Sequence, residues 1–167
     1  NAGKQIGPLL EKLRSQTLPC EILVLDSSSE DETVSIAQAC GAATIVIDNY
    51  DFDHGGSRTM AGKAAQGDIL VYLTQDALPA DTGMLERLVR PLADAATAAV
   101  YGRQIPAPDA TPFAAHLRLF NYPAVSCMKN LSDKKTYGIK TPFLSNSCAA
   151  YRRSALEAIG WFREGLI

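Results

Sequence analysis

ILVYLTQDALP, residues 69–79, is the stretch on which the reading of this chain turns. With Asp68 ahead of it, DILVYLTQD is the strongest strand signal in the sequence, an apolar run of the kind a buried parallel strand shows. The run ends in Gln75 and Asp76 rather than in small neutral turn residues. A carboxylate at the end of a buried strand costs desolvation energy unless water, a donor or a cation meets it. Two readings stand. Either the strand emerges into solvent at Asp76, or Asp76 is held at the mouth of a cleft for a purpose. Pro79 and Asp81 already supply the turn and cap chemistry beyond it, so neither role requires Asp76.

Outward from that strand, helical and extended patterns alternate. Ile6, Leu9, Leu10 and Leu13 recur at helical spacing, with Pro8 expected in the first turn. EILVLD (21–26) is a short apolar run, and Ser29 with Glu32 has capping-box spacing for a helix that Gly41 closes. TIVID (44–48) follows, then a loop over 49–58 and a helix capped by Ser57 that runs through Ala65. Asp81 or Thr82 caps a helix whose Met84, Leu85, Leu88 and Val89 make one face, and TAAVYGRQI (97–105) is the next strand. Beyond Ile105 three prolines break the pattern. A helix is expected over 113–122, then a mobile polar stretch, a strand in FLSNSCAAYRR and a helix in SALEAIG. Strands alternating with helices predict βαβ units and an α/β fold with a mainly parallel sheet flanked by helices.

The 167 residues suit one domain with a real core. A formal charge of −2 argues against non-specific nucleic-acid binding, which needs a basic excess. No apolar run approaches the roughly 20 residues that span a bilayer, and no secretory signal opens the chain. Cys20, Cys40, Cys127 and Cys148 lack CxxC spacing and read as reduced, mostly buried thiols of a cytosolic protein. Asn1 follows no initiator Met and the chain stops on apolar Ile167, so the chain reads as a piece cut at both ends.

In α/β sheets ligands bind beyond the carboxyl ends of the strands. There the sequence places Asp26, Asp48 and Asp76, a loop with His54 and Arg58, and the pair Arg103-Gln104. Carboxylates with arginines suit a metal-bridged phosphate: hard oxygens for the ion, cations for the phosphates. Taken alone, Asp26 is more readily a turn former, and Asp48 an ordinary turn residue. Arg58 near a helix start opposes the helix dipole, which favours an anion partner. The polar SNS around Asn146 faces an acceptor cleft or is a wet strand edge. There is no GxGxxG, P-loop, G-x-S-x-G elbow or Cys/His zinc cluster.

LLEKLRSQ and EILVLDSSSEDET, then FDHGGSR, GDILVYLTQDALP and VYGRQIP, and finally FLSNSCAAYRRSALEAIGWFREGLI, come in one collinear order. Together they resemble a family 2 glycosyltransferase of the GT-A (Rossmann-like) fold, in its rhamnosyltransferase-like branch. The resemblance implies a nucleotide-sugar-binding half over 1–105 and an incomplete acceptor-side half over 106–167. It implies that Asp26, Arg58, Gln75 and Asp76 bind the nucleotide sugar, with Arg103, Gln104 and Asn146 on the acceptor side. Gln75-Asp76 stands at the family's DxD position, with Thr74 at the first acidic place, so Asp76 is the implied ligand of Mg²⁺ or Mn²⁺. The implied catalytic base lies beyond Ile167; Glu164 matches only an acidic position ahead of it. The family's first strand would precede Asn1.

The activity implied is inverting, metal-assisted transfer of a sugar from a nucleotide-diphosphate donor, dTDP-rhamnose-like, to a glycan or lipid-linked glycan of a bacterial surface polysaccharide. It would take place in the cytoplasm or at the inner face of the membrane, with peripheral membrane contact as an option. A sugar nucleotidyltransferase and a non-catalytic nucleotide-sugar binding module remain alternatives. The first needs a glycine-rich basic loop after a strand that this sequence lacks; the second predicts binding without turnover.

Overall fold

The computed structural model describes residues 1–165. The expected apolar face of the first helix forms: α1 (Gly3–Arg14) buries Ile6, Leu9, Leu10 and Leu13. It starts earlier than the sequence suggests. The Asp31 carboxylate accepts from the Gly3 backbone N–H at 2.9 Å, so Pro8 lies inside the helix rather than in its first turn. Strand β1 (Leu23–Asp26) leads to α2 (Thr33–Ala39) and β2 (Ala43–Val46), and β1 and β2 pair in parallel. Gly41, between them, adopts φ +71°, the left-handed conformation a helix stop requires. The Ser29–Glu32 capping box does not form. Glu32 is the N-cap without a side-chain bond, and Asp31 ahead of it accepts from the Thr33 backbone N–H and hydroxyl.

Helix α3 spans His54–Ala64, β3 Ile69–Leu73, α4 Met84–Val89 and β4 Ala99–Tyr101. After α5 (Pro112–Asn121) and the single turn α6 (Lys134–Tyr137), β5 (Cys148–Arg152) and α7 (Arg153–Ala158) complete the described chain. The α/β class is as expected, but the pairing is mixed. β5 enters between β3 and β4 and is antiparallel to both, so β3 and β4 run parallel to each other. The reason is topological. The excursion over 102–147 leaves the sheet at the end of β4 and returns at the same edge. Without a crossover to carry the chain to the opposite edge, the returning strand must run backwards.

Helix α1 joins the two halves. Ile6 and Leu10 pack with Ala37 and Ala42 on the β1–β2 side, while Leu9 and Leu13 pack with Leu85 and against Val71 and Leu73 of β3. The other face of β3 and β5 buries Leu70, Ala149, Tyr151 and Leu156. Arg153 fastens α7 to the end of α3 through the carbonyls of Gly62, Ala65 and Gly67 at 2.6–3.0 Å, a cation on a helix C-terminus.

Among the described residues β1 pairs only with β2, and β3 only with β5. Between them runs a slot of about 700 Å³, lined by Leu23, Val24 and Leu25 of β1, by β3, and by residues of α1 and α3. The four cysteines are free, as expected, but Cys20 and Cys127 are exposed rather than buried.

Candidate functional site

One end of β3 and the start of β5 meet at the sheet edge: Leu73 pairs with Cys148, and the Thr74 N–H donates to the Ser147 carbonyl at 3.2 Å. The end of β4 is there as well, since the Gly102 N–H donates to the Cys148 carbonyl at 2.8 Å. The edge therefore collects Thr74-Gln75-Asp76, Arg103-Gln104 and Ser145-Asn146. Antiparallel pairing made this grouping possible, because β5 begins where its neighbours end.

Asp76 is exposed and the Thr74 hydroxyl donates to its Oδ1 at 2.5 Å. Arg87–Asp81 is the one ion pair among the described residues, so Asp76 has no protein cation there. Its carboxylate is open, held at one oxygen by a neutral hydroxyl. That suits a hard-oxygen ligand for a divalent ion that takes its other ligands from water and phosphate. No cluster of three His, Cys, Asp or Glu side chains that could cage an ion occurs among the described residues, so a resident all-protein metal cage does not fit.

Asn146 and Gln75 line the polar end of the slot together with His54, Arg58, Tyr72 and Thr74. Tyr151 donates its hydroxyl to Asn146 Oδ1, which leaves the amide nitrogen as a donor. Burial pushes both Tyr72 and Tyr151 up to about 12, with Arg58 nearby pulling each down. Both phenols therefore stay neutral donors at ordinary pH. Tyr72 donates to the Arg58 carbonyl at 3.0 Å, and the Arg58 guanidinium donates to the His54 carbonyl at 2.6 Å.

Asp26, only 6% exposed, accepts from the Ser29 N–H at 2.7 Å, so its turn-forming role is real. The loop it starts contains Ser28 at φ +53°, a conformation uncommon for a non-glycine residue. Asp26 does not line the slot, though its neighbour Leu25 does. Arg103 donates to the Tyr122 carbonyl at 3.3 Å and Gln104 to the Ser145 hydroxyl at 3.3 Å, so both are tied to the acceptor-side segment. Asp48 caps the following 3-10 turn by accepting from the Tyr50 N–H, the turn role expected of it.

Ser57 does not cap α3. It lies inside the helix with its buried hydroxyl unpartnered, and Asp53 is the cap, accepting from the Gly55 and Gly56 N–H groups at 2.9 and 2.7 Å. The helix therefore absorbs HGGSR, which the sequence suggested as loop. Glycine is needed at 55 because a Cβ there would collide with the Arg163 carbonyl. The segment 162–165 folds back onto this helix start: the Gly165 N–H donates to Asp53 Oδ2 at 3.0 Å, and Phe162 stands edge-on to Tyr72 and Tyr151. Asp53, Tyr72, Tyr151 and Phe162 were invisible as site residues. Asp53-x-x-Gly is a cap pattern, but the tyrosines read as strand filling.

The three backbone N–H groups hold the Asp53 carboxyl below the usual carboxylate range. A depressed folded value means its stabilising effect is complete above the ordinary carboxylate range and is lost as pH falls through the folded value. Asp53→Ala is expected to lower Tm by a few degrees at pH 7 and by less at pH 3, as measured by circular dichroism.

A mixed sheet with a polar strand-end edge, flanked by helices, defines an α/β protein of the GT-A fold. Solved structures share it. A mannosyltransferase from Pyrobaculum calidifontis, in complex with GDP-Man and Mn²⁺, superposes with TM-score 0.65 at 22% identity, covering 96% of this chain and 44% of that one. Glucosyl-3-phosphoglycerate synthase from Mycobacterium tuberculosis, with Mn²⁺, UDP-glucose and phosphoglyceric acid, gives 0.63 at 21% identity over 92% of this chain and 54% of its own. Residues 1–160 match glycosyl transferase family 2, and the chain belongs to that family. It is 44% identical over its whole length to the O-antigen chain rhamnosyltransferase RfbN of Salmonella typhimurium, and 45% identical over 89% of its length to WbaN of Salmonella anatum. The chain spans about half the length of these curated relatives, 54% and 48%.

Proposed function

We propose that the protein carrying this chain transfers rhamnose from a dTDP-linked donor to a growing, lipid-linked O-antigen-type glycan, in the cytoplasm at the inner face of the membrane. The observation that carries it is the sheet edge itself: an open Asp76 carboxylate just outside the slot, next in sequence to Gln75, which lines the slot with Arg58 and Asn146. The names of the two rhamnosyltransferase relatives supply the sugar. Residues 1–105 would hold the nucleotide sugar and 106–167 the acceptor side.

In this reading Asp76 holds a Mg²⁺ or Mn²⁺ ion, which when bound supplies Lewis-acid neutralisation of the departing diphosphate. Asp26, at the end of β1, meets the nucleoside. Arg58 adds a fixed positive charge whose attraction grows as negative charge builds on the departing diphosphate. Asn146, with its oxygen taken by Tyr151, offers its N–H₂ to a sugar or acceptor hydroxyl. Arg103 and Gln104 shape the acceptor side. Deprotonation of the acceptor hydroxyl needs a carboxylate base, a role given to none of these residues.

The test is calorimetric titration of dTDP and UDP, each with and without Mn²⁺, into the protein at its full genomic length. Mn²⁺-dependent binding with dTDP preferred over UDP is the expected result. No binding of either nucleotide would overturn the reading, and binding without sugar transfer to any glycan acceptor would reduce it to a binding module.

A further inference from the structure

The segment 112–143 differs from the rest of the molecule in both charge and surface. It holds five cations, Arg118, Lys129, Lys134, Lys135 and Lys140, against one anion, Asp133. Its formal charge is thus +4, and with −2 for the whole chain the remainder carries −6. Helix α5 buries none of its ten residues, although Phe113, Leu117 and Phe120 recur at the spacing of one helical stripe. Beyond it Val125 is 80% exposed, Leu131 83% and Ile139 93%. Large apolar side chains in such number on one segment mark a surface that meets something other than water.

The segment is built, not merely loose. Lys140 Nζ stands 3.8 Å from the centre of the Phe120 ring, which joins the α5 stripe to the turn carrying Ile139. Lys129 donates to the Lys140 carbonyl at 2.9 Å and faces the rings of Tyr101, Tyr137 and Phe143. Asn130 and Asp133 close a capping box that starts the turn presenting Lys134 and Lys135. Aliphatic tips interspersed with lysines are the chemistry of an interface that takes apolar groups into hydrocarbon and ammonium groups to anionic headgroups. A second copy packed face to face through this segment would set like charge against like. Nucleic acid would draw on the lysines but gain nothing from Val125, Leu131 and Ile139.

We propose that residues 112–143 dock the protein on an anionic lipid bilayer, with α5 lying in the interface and Lys134 and Lys135 at the headgroups. The −6 remainder is repelled by the same surface, so the charge asymmetry orients the molecule as well as holding it. The proposal adds a docking face to the glycosyl transfer proposed above. Its test is separate, because nucleotide titration without lipid does not involve it.

The experiment is flotation of the full-length protein with phosphatidylcholine vesicles, and with the same vesicles containing phosphatidylglycerol. Binding to the phosphatidylglycerol vesicles that weakens with added salt is expected. Lys134→Glu with Lys135→Glu is expected to lower partitioning by about ten-fold or more, and Ile139→Glu to lower it as well. All three positions are exposed, so nucleotide affinity and Tm are expected to stay unchanged. Protein that stays in the aqueous phase with both vesicles, because other residues cover this face, overturns the proposal. So do variants that float as well as the parent.

Discussion

Asp76→Ala is expected to weaken Mn²⁺-dependent binding of the nucleoside diphosphate by on the order of 100-fold or more, since even changes one shell out from a metal ligand cost about 10–100-fold. The loss should not extend to stability. Asp76 is exposed and has one hydrogen bond, from Thr74, so its removal leaves no buried group unpaired and Tm is expected to hold. Asp76→Asn separates charge from shape: an amide keeps the Thr74 contact but is a poor partner for a divalent ion, and should behave like alanine. Thr74→Val, by contrast, frees the carboxylate without removing it and should cost far less. If Asp76→Ala binds nucleotide and Mn²⁺ as well as the parent, the strand simply ends in water and the metal reading is lost. Turnover is the more sensitive readout, because electrostatic stabilisation acts chiefly on the departing diphosphate; a fall of about 10³-fold in kcat is expected.

Which parts of this fold were legible follows from where the deciding interactions lie. The burial of Ile6, Leu9, Leu10 and Leu13 was readable because helical periodicity is local and the face is continuous. The DILVYL strand was readable for the same reason, and so was the strand-end position of Asp76. The caps were not. Ser29 and Ser57 satisfy the local pattern for a helix start, yet the helix-start contacts are made by Asp31 to Thr33 and by Asp53 to Gly55 and Gly56. Each carboxylate is also engaged by a backbone N–H distant in sequence, Gly3 and Gly165. The direction of β5 was equally hidden, since a strand's composition does not say from which edge it enters. Tyr151 shows the consequence. Its ring stands edge-on to Tyr72 of β3, centroids 5.8 Å apart, a contact that follows from antiparallel entry and that nothing near Tyr151 in sequence announces.

The slot between β1 and β3 leads to the second large effect. Among the described residues each of the two strands has one unpaired edge, and away from its polar end the slot is walled mostly by apolar residues of β1, β3, α1 and α3. An exposed pair of edges around an apolar cavity is unstable against any strand that satisfies both. The cleft, about 700 Å³, is large enough to take a strand's side chains. Covered on its flanks by α1 and α3, it has the place and lining that a central parallel strand would fill. We therefore expect that in the protein at its full genomic length a further strand fills the slot, pairs with β1 and β3, and joins the two sheets into one. Burial of one apolar strand is worth several kcal/mol, enough to raise Tm by on the order of 10 °C. Amide hydrogen exchange gives the sharper test. Protection should rise in 23–26 and 69–73 together, the two edges that the strand would pair, while 148–152, already paired on both sides, should change least. An extended chain with unchanged Tm and unprotected edges would mean that the slot is filled from elsewhere. In that case Arg58, Gln75 and Asn146, which line its polar end, would have a different neighbour than the one proposed.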